Sequence, residues 1–126
     1  MKNLLSKRTL NKYSRQIILK DVGIIGQKKI FNSKILVVGA GGLGSPVIDL
    51  LVRAGVGFLG VIEDDKVDYS NLHRQTLYDY NDVGKYKSDV IKKKIKLIND
   101  KIKLKIFKDR ANNKNLGKIL PKFDII

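Results

Sequence analysis

Cysteine is missing from all 126 residues. That excludes a disulfide framework, a Cys-ligated zinc site and a thiol nucleophile within this stretch. Long apolar runs are missing too. The opening Met1-Lys2-Asn3-Leu4-Leu5-Ser6-Lys7-Arg8 has no apolar core for a signal peptide, and no stretch approaches a membrane span. No membrane partner is expected, and the cytoplasm is the expected compartment. Acids are scarce, 12 Asp and Glu against 26 Lys and Arg, for a net charge of +14. Such an excess invites a nucleic-acid partner. Two features disfavour it. Arginine, the usual base-reading residue, occurs only at positions 8, 15, 53, 74 and 110. The lysines are spread over the polar faces of amphipathic segments, without interleaved aromatics. Hydrophobic residues, at 43 %, suffice for a core, and the length allows one domain at most.

What is present centres on Lys34-Ile-Leu-Val-Val-Gly-Ala-Gly-Gly-Leu-Gly-Ser-Pro46. Lys34 to Val38 reads as a strand buried on both faces. A helical pattern follows through Val47, Leu50, Leu51 and Ala54. Between them Gly39, Gly41 and Gly44 spell G-x-G-x-x-G in the strand–turn–helix context that gives this motif a mechanism. The glycines permit the tight turn, close approach of a phosphate and close helix–strand packing. The positive helix end then faces an anion. At this point dinucleotide, ATP and S-adenosyl ligands all stay open.

Along the chain, Asn11 to Lys20 reads as a short helix capped by Asn11, broken by Asp21–Gly26. Gln27 to Phe31 reads as a second. Phe58 to Ile62 is a second strand, and Lys66 to Val83 a long structured loop of the kind that carries function. A helix opens at Lys87 or Ser88, with Val90, Ile91, Ile95 and Ile98 on one face and Lys92, Lys93, Lys94 and Lys96 mostly on the other. Ile102, Leu104 and Ile106 alternate with lysines as an edge strand. Asn112 to Leu120 is a further helix, and Phe123 to Ile126 begins a fourth strand. Alternating strands and helices predict a parallel, doubly wound sheet with right-handed crossovers, in the order 3-2-1-4. The fourth strand looks cut short, so residues 1–126 are expected to be the N-terminal part of a longer domain.

Glu63 lies 24 residues past Gly39 at the end of the second strand, where an acid can accept from a ribose. An adenosine-type nucleotide follows; Asp64 and Asp65 read as a solvated turn. Asn71, Arg74 and Gln75 then crowd the mouth of the sheet. Hydride transfer has no use for them, whereas phosphoryl or nucleotidyl transfer does. Arg74 can bond phosphate oxygens in parallel pairs, and Lys87 adds a point charge.

Tyr13-Ser-Arg-Gln16, Gly39–Pro46, Asp65-x-Val67, Ser70-Asn-Leu-His-Arg-Gln75 and Val83-Gly-x-x-Lys87 together resemble one family in order and spacing, over about Leu10 to Ile126. It is the ThiF/MoeB type of adenylating enzyme, related to the ubiquitin-activating enzymes. The resemblance implies a Rossmann-like α/β domain preceded by short N-terminal helices, with residues 1–126 as its ATP-binding part. It implies ATP and Mg2+ as cofactors, a ubiquitin-like sulfur-carrier protein as partner, and a homodimer when full length. The reaction would be adenylation of the carrier's C-terminal carboxylate, for thiamine or molybdenum-cofactor synthesis.

Carried over residue by residue, Gly39, Gly41, Gly42 and Gly44 line the ATP phosphates and Glu63 takes the ribose position. Ser70, Asn71, Leu72, His73, Arg74 and Gln75 form the nucleotide-contacting segment, with Lys87 beside it. Arg74, Lys87 and Arg15 are the catalytic candidates, Arg15 reaching the other subunit's ATP site. Read without the family, Arg15 is a surface charge and His73 a packing residue. Tyr69, Tyr78, Tyr80 and Tyr86 read as residues that cover the loop. Three departures stand out. Glu63 replaces an aspartate, Lys12 replaces an arginine, and the sequence stops before the aspartate that holds magnesium. No metal ligand is assigned within these residues, and zinc would belong only to a full-length protein. The 126-residue chain alone is expected to be inactive or nearly so. The runner-up is the related tRNA threonylcarbamoyladenosine dehydratase type. Behind it stand a non-catalytic nucleotide-binding or dimerisation fragment and an NAD dehydrogenase, the last disfavoured by Arg74 and Lys87.

Overall fold

Five-residue strands carry the chain's most continuous apolar runs, and their pairing defines the sheet. The computed structural model describes residues 6–126, so the first residues of the Met1–Arg8 opening lie outside it. Strand β1 (Lys34–Val38) pairs in parallel with β2 (Phe58–Ile62), and β2 pairs in parallel with β3 (Lys103–Phe107). The register runs Lys34 opposite Phe58 opposite Lys103, through to Val38 opposite Ile62 opposite Phe107. Parallel neighbours require crossovers. Helix α4 (Gly44–Ala54) supplies the first and α5 (Lys87–Ile98) the second.

The free side of β1 receives the chain's last residues. Leu36 N–H donates to the Ile125 carbonyl at 2.9 Å, and Asp124 N–H to the Lys34 carbonyl at 2.8 Å. The 3-2-1-4 placement is therefore present, but the fourth segment makes one parallel bridge, Ile35 with Ile125, and is not a regular strand. Strand β1 meets a core on each face as its composition suggested, Leu36 on one and the partly buried Ile35 and Val37 on the other, while Val38 at its end is 47 % exposed.

Helices cover both faces. Ile48 and Val52 of α4 and Val90, Ile91 and Ile95 of α5 meet Leu59 and Val61 in the main core. Helix α6 (Asn113–Ile119) brings Leu116 and Ile119 to the opposite face, against Leu36 and Ile62. Phe123 joins that second cluster and stacks on Phe58 with ring centroids 5.3 Å apart. Within α4 the expected core positions shift. Ile48 and Val52 are buried, whereas Val47 and Leu50 face outward. The run has apolar residues on every side, so periodicity alone could not orient it.

The N-terminal region also differs from the sequence reading. Ser6, not Asn11, caps α1 (Lys7–Lys12), and α2 (Ser14–Ile17) follows after a bend at the buried Tyr13. Helix α3 begins earlier than expected and spans Gly23–Asn32. These helices close the C-terminal end of α4. Gln16 and Gln27 both donate to the Ala54 carbonyl, at 3.1 and 2.9 Å, and Asn99 donates to that of Val52 at 3.1 Å. Carbonyls in the last turn of α4 are thus met by side-chain amides, those of Gln27 and Asn99 buried. No helix among the described residues is long and apolar enough to cross a membrane.

Phe123 is the main apolar tie between the C-terminal segment and the sheet. Phe123→Ala should lower stability by about 2–4 kcal/mol in urea denaturation. It should also speed amide exchange at Leu36 and Ile125 ahead of β2.

Candidate functional site at the glycine turn

The site begins where β1 must turn straight into α4. Gly39 has φ 88°, a region open to glycine and strained for other residues. Gly39 N–H still bonds the Ile62 carbonyl at 2.8 Å, so the turn starts inside the ladder. A Cβ on Gly44 would collide with the Gly39 carbonyl. Two of the motif's glycines are therefore required by backbone geometry alone. No side chain caps α4, which leaves its N-terminal end as the positive pole facing the turn.

Ala40, inside the turn, is fully buried, and both its polar groups are taken. Its N–H donates to Glu63 Oε2 at 2.7 Å, and its carbonyl accepts from the Tyr78 hydroxyl at 2.8 Å. Glu63 is buried as well, and its other oxygen accepts from Asp65 N–H at 2.9 Å. The expected ribose acceptor thus stands at the end of β2, with each oxygen already holding a backbone amide. A carboxylate oxygen has a second lone pair, so acceptance from a further donor is not blocked.

Residues 63–87 form a folded arm. Lys66 and Tyr86 pair as an antiparallel bridge, Val67 N–H bonds the Lys85 carbonyl at 2.8 Å, and Lys87 N–H bonds that of Asp65 at 2.9 Å. Ser45 ties the arm to α4, its hydroxyl oxygen accepting from Leu77 N–H at 2.8 Å in full burial. Lys94 ties it to α5 through Asp79 at 2.6 Å and Asp82 at 3.4 Å. That contact raises the Lys94 pKa and lowers that of Asp79, chiefly through their hydrogen bond. Lys94 is thus not a simple solvent-facing lysine.

The arm delivers most of the expected residues. Arg74 lies over Gly42: a Cβ there would sit 3.5 Å from its Cδ and 3.6 Å from its Nε. Its guanidinium is exposed and donates to the Ser70 carbonyl at 3.0 Å. Gln75 is buried, with Nε2 3.7 Å from where a Gly41 Cβ would stand. Its Oε1 is the one buried side-chain polar atom without a partner among the described residues. Lys87 is also buried, with Nζ 3.8 Å from Asp65 and 5.8 Å from the Tyr78 ring centroid. Ser70 and Asn71 are engaged in a local cap with Asp68, and Leu72 packs on the main core.

Other expectations fail here. His73 is exposed beside Arg74 Nη1 at 3.4 Å and is not a packing residue. Tyr69 and Tyr80 are 67 % and 72 % exposed, and Tyr86 is exposed too, so among the four loop tyrosines Tyr78 alone is buried. The expectation for Arg15 concerned another subunit's site and does not conflict with its place: it is exposed, away from its own glycine turn and one residue from Gln16, which contacts the far end of α4. Glu63, Asp64 and Asp65 place carboxylate oxygens within 4.8 Å of one another. The trio fits a divalent cation poorly, since the Lys87 ammonium stands near Asp65. Ala40, Ser45 and Tyr78 were missed by sequence reasoning. Nothing local separates Tyr78 from Tyr80, and Ser45 reads only as a helix residue.

The parallel sheet, the glycine turn and the helices on both faces define a Rossmann-type α/β fold. Residues 13–126 match the ThiF family, and the chain belongs to it. The sulfur carrier protein adenylyltransferase of Thermus thermophilus is 43 % identical over 121 residues, 96 % of this chain and 45 % of that protein. The "Probable molybdopterin-synthase adenylyltransferase" of Gracilaria tenuistipitata var. liui is 43 % identical over 122 residues, 97 % of this chain and 34 % of that protein. Among solved structures, PaaA superposes with a TM-score of 0.86 at 30 % identity, covering 98 % of this chain and 41 % of that one. MccB of E. coli, crystallised with ATP, gives 0.74 at 30 % identity, covering 86 % and 34 %. The chain thus spans less than half the length of each.

Burial pushes the Tyr78 hydroxyl well above the usual tyrosine range, and the negative charges of Glu63, Asp65 and Asp82 add to the effect; the Lys87 ammonium faces the same ring. A raised pKa means the folded state keeps its proton where the unfolded chain loses it, above about pH 10. The stability that Tyr78 contributes is therefore intact below that pH and declines above it. Urea denaturation of wild type and Tyr78→Phe should show wild type losing ground to the variant as pH rises past about 10.

Proposed function

We propose that this chain is the ATP-binding part of an enzyme that adenylates the C-terminal carboxylate of a small ubiquitin-like sulfur-carrier protein. The observation that carries the reading is the convergence of Arg74, Gln75 and Lys87 on the glycine turn. A polyphosphate laid along Gly41 and Gly42 would meet the α4 N-terminus, the Arg74 fork and the Lys87 ammonium. Glu63 would add ribose acceptance through its remaining lone pairs. Gln75 Oε1, left without a donor, would gain one from the bound nucleotide or its water. The names of the two adenylyltransferase relatives and the ATP-bound MccB structure support the same assignment.

In the proposed reaction a carboxylate oxygen of the carrier attacks the α-phosphorus of ATP. The bond to the β-phosphate oxygen breaks, leaving acyl-adenylate and pyrophosphate. Arg74 and Lys87 would neutralise charge on the phosphate oxygens as it builds. Magnesium is not assigned to Glu63, Asp64 and Asp65, because the Lys87 ammonium stands beside Asp65. Arg15, placed away from its own glycine turn, would act in the site of a second subunit. Exposed Ile18, Leu19, Ile25 and Leu50 supply apolar surface for such a homodimer. Thiamine or molybdenum-cofactor synthesis would be the pathway, in the cytoplasm.

Calorimetric titration of the chain should show binding of ATP and none of NAD. Arg74→Ala should weaken ATP by about tenfold or more, the loss expected for a charge-assisted contact, with an unchanged circular dichroism spectrum. Equal ATP affinity in the variant would remove Arg74 from the site; NAD binding in place of ATP would sink the whole assignment. In a polypeptide that contains this sequence, carrier-dependent exchange of labelled pyrophosphate into ATP should accompany ATP binding and vanish in Arg74→Ala.

A further inference from the structure

We infer that Tyr78 is a positioning residue for the nucleotide phosphates: its hydroxyl, opposite the Glu63 carboxylate, locks Ala40 and so sets the curve of the glycine turn. The inference rests on the ATP reading and goes beyond it, because Tyr78 itself would touch no part of the nucleotide. Ala40 is the one residue of the turn with both polar groups held by side chains, at 2.7 Å by Glu63 and 2.8 Å by Tyr78. The two anchors lie far apart on the 63–87 arm: Glu63 directly follows β2, and Tyr78 sits within the loop closed by the Lys66–Tyr86 bridge. With N–H and carbonyl both fixed, the peptide planes on either side of Ala40 have little freedom to rotate. Gly41, whose carbonyl also accepts from Ser45 N–H at 2.9 Å, and Gly42 follow directly on that lock and have no side chains of their own to hold them.

A second contact extends the same control to the charge. The Tyr78 ring lies 5.8 Å from Lys87 Nζ, within cation–π range. Its backbone is held in turn, since the adjacent Leu77 N–H is anchored on Ser45 at the start of α4. One buried side chain thus touches the turn that would cradle the phosphates and the lysine that would neutralise them. Replacement by phenylalanine keeps the ring, its packing and its face toward Lys87, and deletes only the bond to Ala40.

Affinity for ATP compared with affinity for adenosine reads the effect, because only ATP uses the phosphate cradle. Tyr78→Phe should weaken ATP about five- to tenfold, the span of one net hydrogen bond, and adenosine less than about twofold. Tyr80→Phe, on an exposed ring, should change neither. Unaltered ATP affinity in Tyr78→Phe overturns the inference while leaving the ATP reading intact, and an equal loss for both ligands overturns it in favour of a general packing role. Wild type that binds no ATP sinks both. Hydrogen exchange supplies a test without nucleotide. The Ala40 amide should exchange as slowly as β1 in wild type and at least about tenfold faster in Tyr78→Phe, with β2 unchanged. Rapid exchange at Ala40 in wild type would also overturn the inference, since no lock would exist to lose.

Discussion

The Gly39 carbonyl lies so close to Gly44 that the chain cannot carry a side chain there. Most of the architecture follows from that contact. It lets α4 start immediately after β1, with its N-terminal end at the C-terminal edge of the sheet. From there α4 must run back along the sheet face, so β2 can only enter parallel to β1. The same geometry forces the helix's other end to the far edge. There Gln16, Gln27 and Asn99 satisfy the Val52 and Ala54 carbonyls. A turn too wide for this join would leave buried Ile48 and Val52 without their seats against β2.

Residues 63–87 are what make the turn a site and not merely a join. The arm buries Val67, Leu77 and Tyr78 in the main core and packs Leu72 against it. Discrete polar bonds add direction to that burial: Leu77 to Ser45, Tyr78 to Ala40, Lys87 to Asp65, Asp79 and Asp82 to Lys94. Two of these, Leu77 to Ser45 and Tyr78 to Ala40, are buried, where a polar group left unpaired is costly. Each therefore fixes position more firmly than a surface contact would. The result is that Arg74 and Gln75, though carried on a connection between strand and helix, stand at defined places over Gly42 and Gly41.

How legible this was depends on how local each signal is. Strand β1, the glycine turn and α4 could be read because their pattern is contiguous and their chemistry is backbone chemistry. The two crossovers and the order of the strands followed from alternation and handedness. Burial within α4 could not be read, since Val47 and Leu50 are as apolar as Ile48 and Val52 and only the sheet decides which face is inner. The start of the N-terminal helices went wrong because Asn11 and Ser6 are both good caps; the buried Tyr13 ring, invisible to local propensity, selected the bend. Arg74, Gln75 and Lys87 stood out as candidates through their spacing, but Tyr78 did not. Its role lies in a bond to Ala40 across 38 residues of chain, and no local pattern encodes such a partner.

Lys87 shows why burial and function are joined at this edge. A lysine ammonium has three donors and is almost never buried unless paired. Here its nearest acid is the exposed Asp65 at 3.8 Å, beyond hydrogen-bond distance, and its other neighbour is an aromatic face. Those two contacts give the ammonium's three donors no hydrogen-bonding acceptor among the described residues, so its remaining partner is the solvent that still reaches it. A structural lysine could have been replaced by methionine or leucine at little loss of packing. An ammonium kept in this place, under an arm that also carries Arg74, makes physical sense if an anion completes its coordination. The Tyr78 hydroxyl then has a second consequence. By staying protonated and donating to Ala40, it adds no negative charge beside Lys87 that would compete with such an anion for the ammonium.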